Sequence, residues 1–299
     1  MVPKKQLVIA DRLFWIFTAF LVLYSGIAGR YSIALTTVCI MAAAFLIIWL
    51  DKTFDNEVSR FFRYWYQPIT YTFFYEASCS LNHVLFSHNL DPFFQHLDRL
   101  FFGLQPSVEL AKAIPGKPVA EFFYISYFSY YLLIPILGFS LYCSRRRLFP
   151  AFLLRVSAVF YFCYTLFVIL PVIGPDTMGV APPPGYLFHN IMAFIYAHGE
   201  IGGGSFPSSH VAVALAVTLT AAKVRPRMFR YFFLPDLVFL SIATVYLRYH
   251  YVVDVFAGIV TTFFIFALID RWEKHQFGKT PAAATLGSGE TTGNAPVSP

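Results

Sequence analysis

The clearest reactive side chains in this sequence are two histidines that lie in separate apolar segments. His250 lies within YLRYHYVVDVFAG, four residues before Asp254. If a helix begins near Tyr249, this spacing puts both side chains on one face, and the carboxylate can accept the ring N–H and fix the tautomer. The other ring nitrogen is then free as a nucleophile, and the carboxylate would stabilise the charge of a phosphohistidine.

The second histidine, His210, ends the cluster GGGSFPSSH at the start of an apolar run. Ser205 or Ser208 can cap a helix that begins here, and the free N–H groups and dipole of its first turn suit a phosphate. Gly202–Gly204 would let the backbone approach that anion closely. His210 can then donate a proton to a leaving oxygen, so the cluster predicts half of a phosphoryl-transfer site.

Both clusters also have a purely structural interpretation. Glycine, proline and serine are ordinary residues at helix starts, and a histidine and an aspartate four apart can form a local polar pair. Two ionisable groups near the ends of separate apolar segments favour a function, because burying such groups in a membrane without a role is costly.

The amino-acid composition of the protein indicates that these segments lie in a lipid bilayer. Hydrophobic residues make up 58% of the 299 residues and charged residues 13%, and the mean hydropathy is +0.61. A helix needs roughly 20 apolar residues to span the hydrocarbon, and eight runs approach that length, the third (with Glu76) and the short sixth least well. The eight runs are Leu13–Gly29, Ser32–Leu50, Tyr64–Phe86, Val119–Tyr142, Phe149–Val172, Ser208–Lys223, Tyr231–Leu247 and Val252–Trp272.

Lysine and arginine are divided unevenly between the two ends of these runs. With the N-terminus inside, 17 of the 22 fall on the inner side, which is the positive-inside pattern for an even number of spans. This distribution argues against nucleic acid as the partner of the +6 net charge. We expect an all-α, polytopic helical bundle of about eight transmembrane helices in the plasma (inner) membrane. His210 and His250 then both lie on its outer face.

A further segment, Leu90–Leu110, has an apolar stripe that includes Phe93, Leu97 and Phe101, with polar residues elsewhere around the helix. This pattern predicts an amphipathic helix on the outer interface, which serves either as a simple anchor or as a lid over the site.

The expected organisation has three parts. Residues 1–118 hold the N-terminal spans and the outer amphipathic segment, residues 119–275 the catalytic membrane core, and residues 276–299 a tail whose composition is typical of disorder. The four cysteines lack CxxC spacing and no histidine pair has the spacing of metal ligands, so we expect no metal and no other cofactor.

The two histidine motifs resemble the second and third signature motifs of the type 2 phosphatidic acid phosphatase superfamily, which run roughly PSGH and SRxxxxxHxxxD. The similarity is closest to the branch that contains the inositol phosphorylceramide synthases. The resemblance implies a six-helix phosphatase-like core, His250 as the nucleophile, Asp254 as the residue that orients it, and His210 as the general acid.

The basic residues of the superfamily motifs are missing here. Thr244 stands where the third motif has arginine, and the first motif, KxxxxxxRP, is absent. A phosphoryl group needs cationic partners, so we expect Arg248 to turn toward the glycine loop, although it is also placed to snorkel to the headgroups. The predicted phosphate contacts are Gly204, Ser208, Ser209 and Arg248. Other outer candidates are Arg99, Lys112 and Lys117.

The sequence therefore predicts a metal-independent membrane enzyme that acts on a lipid phosphate through a phosphohistidine. With water as the acceptor it is a lipid phosphatase, and with an alcohol such as inositol it is a phosphotransferase; the motifs fit both. The alternative is a non-enzymatic lipid-binding or transport protein that retains the fold, in which His210 and His250 would not reach one phosphate.

Overall fold

The apolar runs of the sequence fold into helices. The computed structural model describes residues 2–199 and 202–277, and within these ranges it contains no β-strand. The helices are α1 (Val2–Ile27), α2 (Tyr31–Phe54), α3 (Glu57–Cys79), α4 (Asp91–Phe102), α5 (Pro106–Ala113), α6 (Lys117–Phe128), α7 (Tyr130–Ser144), α8 (Phe149–Ile169), α9 (Leu187–Gly199), α10 (Ser209–Val224), α11 (Pro226–Met228), α12 (Leu234–Tyr246) and α13 (Val252–Phe277). A π-helical turn, Phe229–Phe233, joins α11 to α12. The prediction of an all-α membrane protein is confirmed, whereas residues 278–299 of the predicted tail lie outside the described residues.

Five of the described helical segments are long and apolar enough to cross a membrane, and the pair α6 and α7, bent by 42°, makes a possible sixth. These six coincide with six of the eight predicted runs. The other two are α3 and the 16-residue α10, so the count of eight is not confirmed. The boundary predicted at residue 118 stays a prediction.

Helix α3 contains more polar residues than an apolar span. The bundle accommodates them because these side chains face other helices. Arg63 pairs with Asp11 of α1, and Tyr66 donates to the same carboxylate at 2.7 Å. Gln67 accepts a hydrogen bond from Ser157 of α8 at 2.8 Å. All five side chains are buried, so α3 keeps its polar groups away from lipid, where an unpaired polar group would be costly.

Helix α10 is short but lies at the centre of the bundle, against α8, α12 and α13. Its residues 211–218 are all buried. Small side chains let α13 approach closely: Thr262 donates to the carbonyl of Ala212 at 2.8 Å. A Cβ added at Gly258 would lie 2.5 Å from the carbonyl oxygen of Ser208. The start of α10 is therefore fixed against the first two turns of α13.

The bundle has two chemically different ends. At one end, Arg145 donates to the carbonyl of Val224 at 3.1 Å, Arg225 binds Ser140, and Arg146 pairs with Glu57 at 2.8 Å. At the opposite end lie the first residues of α10 and α13, together with α4 and the 170–186 loop. Both histidine motifs are at this second end.

The predicted amphipathic segment forms α4, followed after a short break by α5. Phe93, Leu100 and Phe101 of α4 point away from the protein, with 58–68% of each exposed. Its buried residues include two acids, Asp91 and Asp98. The helix thus turns its apolar side outward and its acidic side toward the bundle, which fits a helix lying in the membrane interface.

The charge distribution predicts which end faces outward. Ala181 lies exposed in the 170–186 loop, and Thr53 lies exposed at the arginine-rich end. We predict that a membrane-impermeant maleimide labels Ala181→Cys in intact cells and labels Thr53→Cys only after permeabilisation, because arginine-rich ends stay inside. The two exposed native cysteines, Cys39 and Cys143, are replaced by serine in the background. Labelling of Thr53→Cys alone would place both histidines on the inner face.

Candidate active site

His250 lies in a tight turn between α12 and α13. Helix α13 begins at Val252, where the eighth apolar run begins, and not near Tyr249, the start that would put His250 and Asp254 together on the helix. The N–H groups of Tyr249 and His250 both donate to the carbonyl of Thr244, at 2.9 and 3.0 Å, and Arg248 adopts a left-handed φ of 66°. His250 therefore precedes the helix and is held by the backbone of the turn.

Two acids on α4 hold the elements of the site in place. Asp98 accepts the N–H groups of Val252 and Val253 at 3.0 Å each, so it caps the start of α13 and fixes its position. Burial raises the pKa of Asp98, and these two N–H donors act in the opposite direction. Asp91 accepts from the Gly174 N–H at 2.7 Å and from the Tyr251 hydroxyl at 3.0 Å.

These acids were not predicted as site residues. The sequence does contain one indication of their shared role: Asp91 and Asp98 are seven residues apart, which places both on one face of a helix.

His250 makes its shortest contacts with Ser205 and lies farther from Asp254. His250 Nδ1 lies 2.9 Å from the Ser205 carbonyl oxygen and 3.1 Å from the Ser205 hydroxyl, but 3.5 Å from Asp254 Oδ2. The Ser205 hydroxyl donates to the same carboxylate oxygen at 2.7 Å. Ser205 therefore lies between the imidazole and the carboxylate. The sequence indicates Ser205 only as a possible helix cap and does not predict this position.

His210 is the second residue of α10, and the fold brings it to His250. Its Nδ1 lies 3.5 Å from His250 Nε2, although the two residues are 40 positions apart. Ser208 caps the helix with its hydroxyl, which accepts the Val211 N–H at 3.4 Å, and its own N–H donates to the carbonyl of Asp254 at 3.0 Å. The three predicted catalytic side chains thus lie together.

Tyrosines surround His210. The Tyr127 hydroxyl lies 2.9 Å from His210 Nε2 and 2.8 Å from the Tyr196 hydroxyl. The Tyr130 ring lies 4.2 Å from the His210 ring, between centroids, and the Tyr249 ring lies 4.4 Å from that of Tyr127. These tyrosines were not predicted, because nothing in their sequence positions distinguishes them from the protein's other tyrosines.

The glycine loop is held against neighbouring helices. A Cβ at Gly204 would lie 2.8 Å from Cys79 Sγ and 2.9 Å from the Tyr75 ring, so glycine is required there for packing. Gly203 has a φ of +97°, and a Cβ there would lie 1.7 Å from the Asn82 amide. Ser209 is buried. Contact of this loop with a phosphate stays a prediction.

Arg248 turns toward α5, where its Nε donates to the Ser107 carbonyl at 3.3 Å. Only 8% of it is exposed, which does not fit a side chain snorkelling to the headgroups. The other two arginines with similar burial have carboxylate partners: Arg63 pairs with Asp11, and Arg155 with Glu273. No carboxylate within the described ranges pairs with Arg248, and burial lowers its pKa.

The alternative cations are differently placed. Arg99 and Lys117 are exposed, and Lys112 pairs with Glu109 at 2.8 Å. Within residues 2–199 and 202–277, no three His, Cys, Asp or Glu side chains come together as a possible metal site; metal independence stays a prediction.

Comparison with known proteins identifies the class. The sequence profile of the PAP2 superfamily matches residues 94–268, more than half of the chain, and this protein therefore belongs to that superfamily. The matched range contains both histidine motifs and begins within α4. A PA-phosphatase related-family protein of Dictyostelium discoideum is 43% identical over 63 residues, which cover 20% of this chain and 11% of that relative. No solved structure matches the chain significantly.

The contact between α13 and the start of α10 leads to a stability prediction. Gly258→Ala puts a methyl group against the Ser208 carbonyl, and such overpacking typically costs about 1–3 kcal/mol. We expect a lower unfolding temperature in detergent. The matched variant is Gly26→Ala in α1, where nothing lies within 4 Å of the added carbon and alanine favours the helix by roughly 1 kcal/mol. Equal unfolding temperatures for the two variants would contradict the close approach.

Proposed function

We propose that this protein is a membrane enzyme that cleaves a lipid phosphate ester through a covalent intermediate on His250. The observation that carries the proposal is the 3.5 Å separation of His250 Nε2 and His210 Nδ1. Two imidazoles this close can act on one phosphorus, with one forming a bond to it and the other serving its leaving oxygen. This geometry supports the enzyme over a lipid-binding or transport protein that merely retains the fold.

The reaction has two steps. His250 Nε2 attacks phosphorus, the bond between phosphorus and the lipid oxygen breaks, and the imidazolium of His210 gives its Nδ1 proton to that oxygen. An acceptor hydroxyl then attacks the phosphohistidine and passes its proton to His210. Ser205 and Asp254 lie on the Nδ1 side of His250, where a carbonyl and a carboxylate stabilise the positive charge of the phosphorylated ring.

In this proposal the phosphate contacts Gly204, Ser208, Ser209 and Arg248. The burial of Arg248 without a carboxylate supports its inclusion, because an unpaired buried charge is costly and an entering phosphate would neutralise it. Arg248 is two residues from His250, and rotation of its side chain would exchange the bond to the Ser107 carbonyl for a stronger, charge-assisted one.

The acceptor decides between two activities. Water gives a lipid phosphatase, in keeping with the superfamily. Transfer to an alcohol such as inositol forms that alcohol's phosphate ester and makes the protein a phosphotransferase, the class of activity that the resemblance to the inositol phosphorylceramide synthases suggests. The burial of His250 favours transfer, since only 3% of it is exposed. Exclusion of water would protect the phosphohistidine until an alcohol binds.

We place the site on the outer face of the plasma membrane. It lies at the end of the bundle opposite Arg145 and Arg225, and arginine-rich ends stay inside.

The catalytic assignment predicts a ranked loss of activity. His250→Ala should abolish turnover, because no nucleophile remains. His210→Ala should lose about 10²–10⁴-fold, the usual contribution of a general acid, and Asp254→Asn should be strongly impaired. The assay incubates purified protein with a panel of lipid phosphates, with and without inositol, and follows free phosphate, the dephosphorylated lipid, inositol phosphate and acid-labile phosphoryl-enzyme.

The matched control is His96→Ala on α4, an exposed histidine at the same end of the molecule, which should keep full activity. Near-normal turnover by folded His250→Ala would refute the covalent mechanism. Release of free phosphate without any inositol phosphate would identify the protein as a phosphatase for the panel used.

The role of Arg248 leads to a separate prediction. Arg248→Lys keeps the charge but loses the planar fork, so it should keep part of the activity, whereas Arg248→Ala should keep much less and show a higher KM. The comparison variant is Arg99→Ala, which removes an exposed arginine of α4. If instead Arg99→Ala raises KM and Arg248→Ala does not, the phosphate contact belongs to α4 rather than to the turn before α13.

A further inference from the structure

The contact between Tyr127 and His210 is not required by the chemistry proposed above. Tyr127 is almost completely buried, its ring stacks on that of His210 with centroids 4.7 Å apart, and its hydroxyl lies 2.9 Å from Nε2. The same hydroxyl lies 2.8 Å from that of Tyr196 on α9. One imidazole nitrogen thus faces tyrosine hydroxyls, and the other faces His250.

The direction of each hydrogen bond in this group follows from a single backbone carbonyl. A carbonyl oxygen only accepts, so His250 Nδ1, 2.9 Å from the Ser205 oxygen, carries the proton. The lone pair of His250 Nε2 then faces His210 Nδ1 at 3.5 Å. Two lone pairs would repel each other there, so in the neutral pair His210 Nδ1 carries the proton. His210 Nε2 must therefore accept, and the hydroxyl of Tyr127 donates to it.

The two histidines consequently have partners of different character. His250 Nδ1 faces a carbonyl and lies near a carboxylate, which accept in every protonation state that the reaction visits. His210 Nε2 faces a hydroxyl, which donates to the neutral ring and, after rotating, accepts from the imidazolium. Three titratable side chains contact His210 within the described ranges: Tyr127 of α6, Tyr130 of α7 and His250. Tyr196 reaches it through Tyr127.

We infer that Tyr127 is a positioning residue, which holds the Nδ1 edge of His210 toward the phosphate and adapts to both protonation states of the ring. The inference rests on the proposed function. During ester cleavage His210 passes its Nδ1 proton to the leaving oxygen and keeps the proton on Nε2, which then donates to the Tyr127 oxygen. When the acceptor hydroxyl returns a proton to Nδ1, the imidazolium is restored and Tyr127 has neither gained nor lost a proton.

The test compares Tyr127→Phe with Tyr124→Phe, its matched control. Tyr124 is also buried on α6, and its hydroxyl donates to the Pro183 carbonyl at 3.0 Å rather than to a histidine. Protein labelled with ¹⁵N-histidine and reconstituted in lipid is examined by NMR, and the His210 signals are assigned by their loss in His210→Gln. The expected result is a single tautomer, with the proton on Nδ1, in wild type and Tyr124→Phe at a pH where the ring is neutral. Tyr127→Phe should keep the proton on Nδ1, which His250 determines, but should show a shifted Nε2 signal and a shifted titration of the ring.

Kinetics supply the second measurement. Tyr127→Phe should lower kcat about tenfold or more and alter the pH dependence of kcat with little change in KM, since a full general acid contributes about 10²–10⁴-fold. Tyr124→Phe should leave the pH dependence of kcat unchanged. An unchanged Nε2 signal and ring titration together with an unchanged kcat profile in Tyr127→Phe would overturn the inference, and so would an equal change in both variants. If wild type is inactive on every lipid phosphate, the proposed function fails, while the NMR comparison still decides the role of Tyr127.

Discussion

The site depends on how closely α13 approaches the first turn of α10. Gly258 faces the Ser208 carbonyl without an intervening side chain, and the Ser208 N–H donates to the backbone oxygen of Asp254. This contact places the capped start of one helix beside the first turn of another. His210, on α10, and the Ser205–His250–Asp254 group then share one small volume.

A charged group buried in a membrane protein needs a hydrogen-bond or ionic partner within the protein. Four buried carboxylates are bound to N–H donors or to a cation: Asp98 to the start of α13, Asp91 to the 170–186 loop, and Asp11 and Glu273 to arginines. Water cannot satisfy these groups inside the bundle, so protein donors must. Two of these carboxylates hold the turn and loop that form the site, so the bilayer's penalty on unpaired charge also makes the active site rigid.

The sequence predicted the residues that meet but not the way they are held. His210, His250 and Asp254 were predictable because ends of spans that face the same side are brought to similar depths. Ser205 and Tyr127 were not, because their contacts depend on rotations and register between helices that periodicity does not report. Hydropathy makes α3 one of the two weakest of the eight runs because it measures composition and not the direction in which Arg63 and Gln67 point. The capping of α13 by Asp98 was not predictable, because Asp98 lies more than 150 residues earlier in the chain.

The proton on His250 Nδ1 is assigned by the peptide carbonyl of Ser205, and this has a consequence for how the site tolerates sequence change. Every amino acid carries that carbonyl, so no substitution at position 205 can delete the acceptor. The tautomer of His250 depends on the path of the backbone, which the left-handed Gly202 and Gly203 and the bridge from Gly204 to Val172 determine. Evolution can therefore vary the side chain beside the proposed nucleophile while the neighbouring glycines keep its tautomer constant.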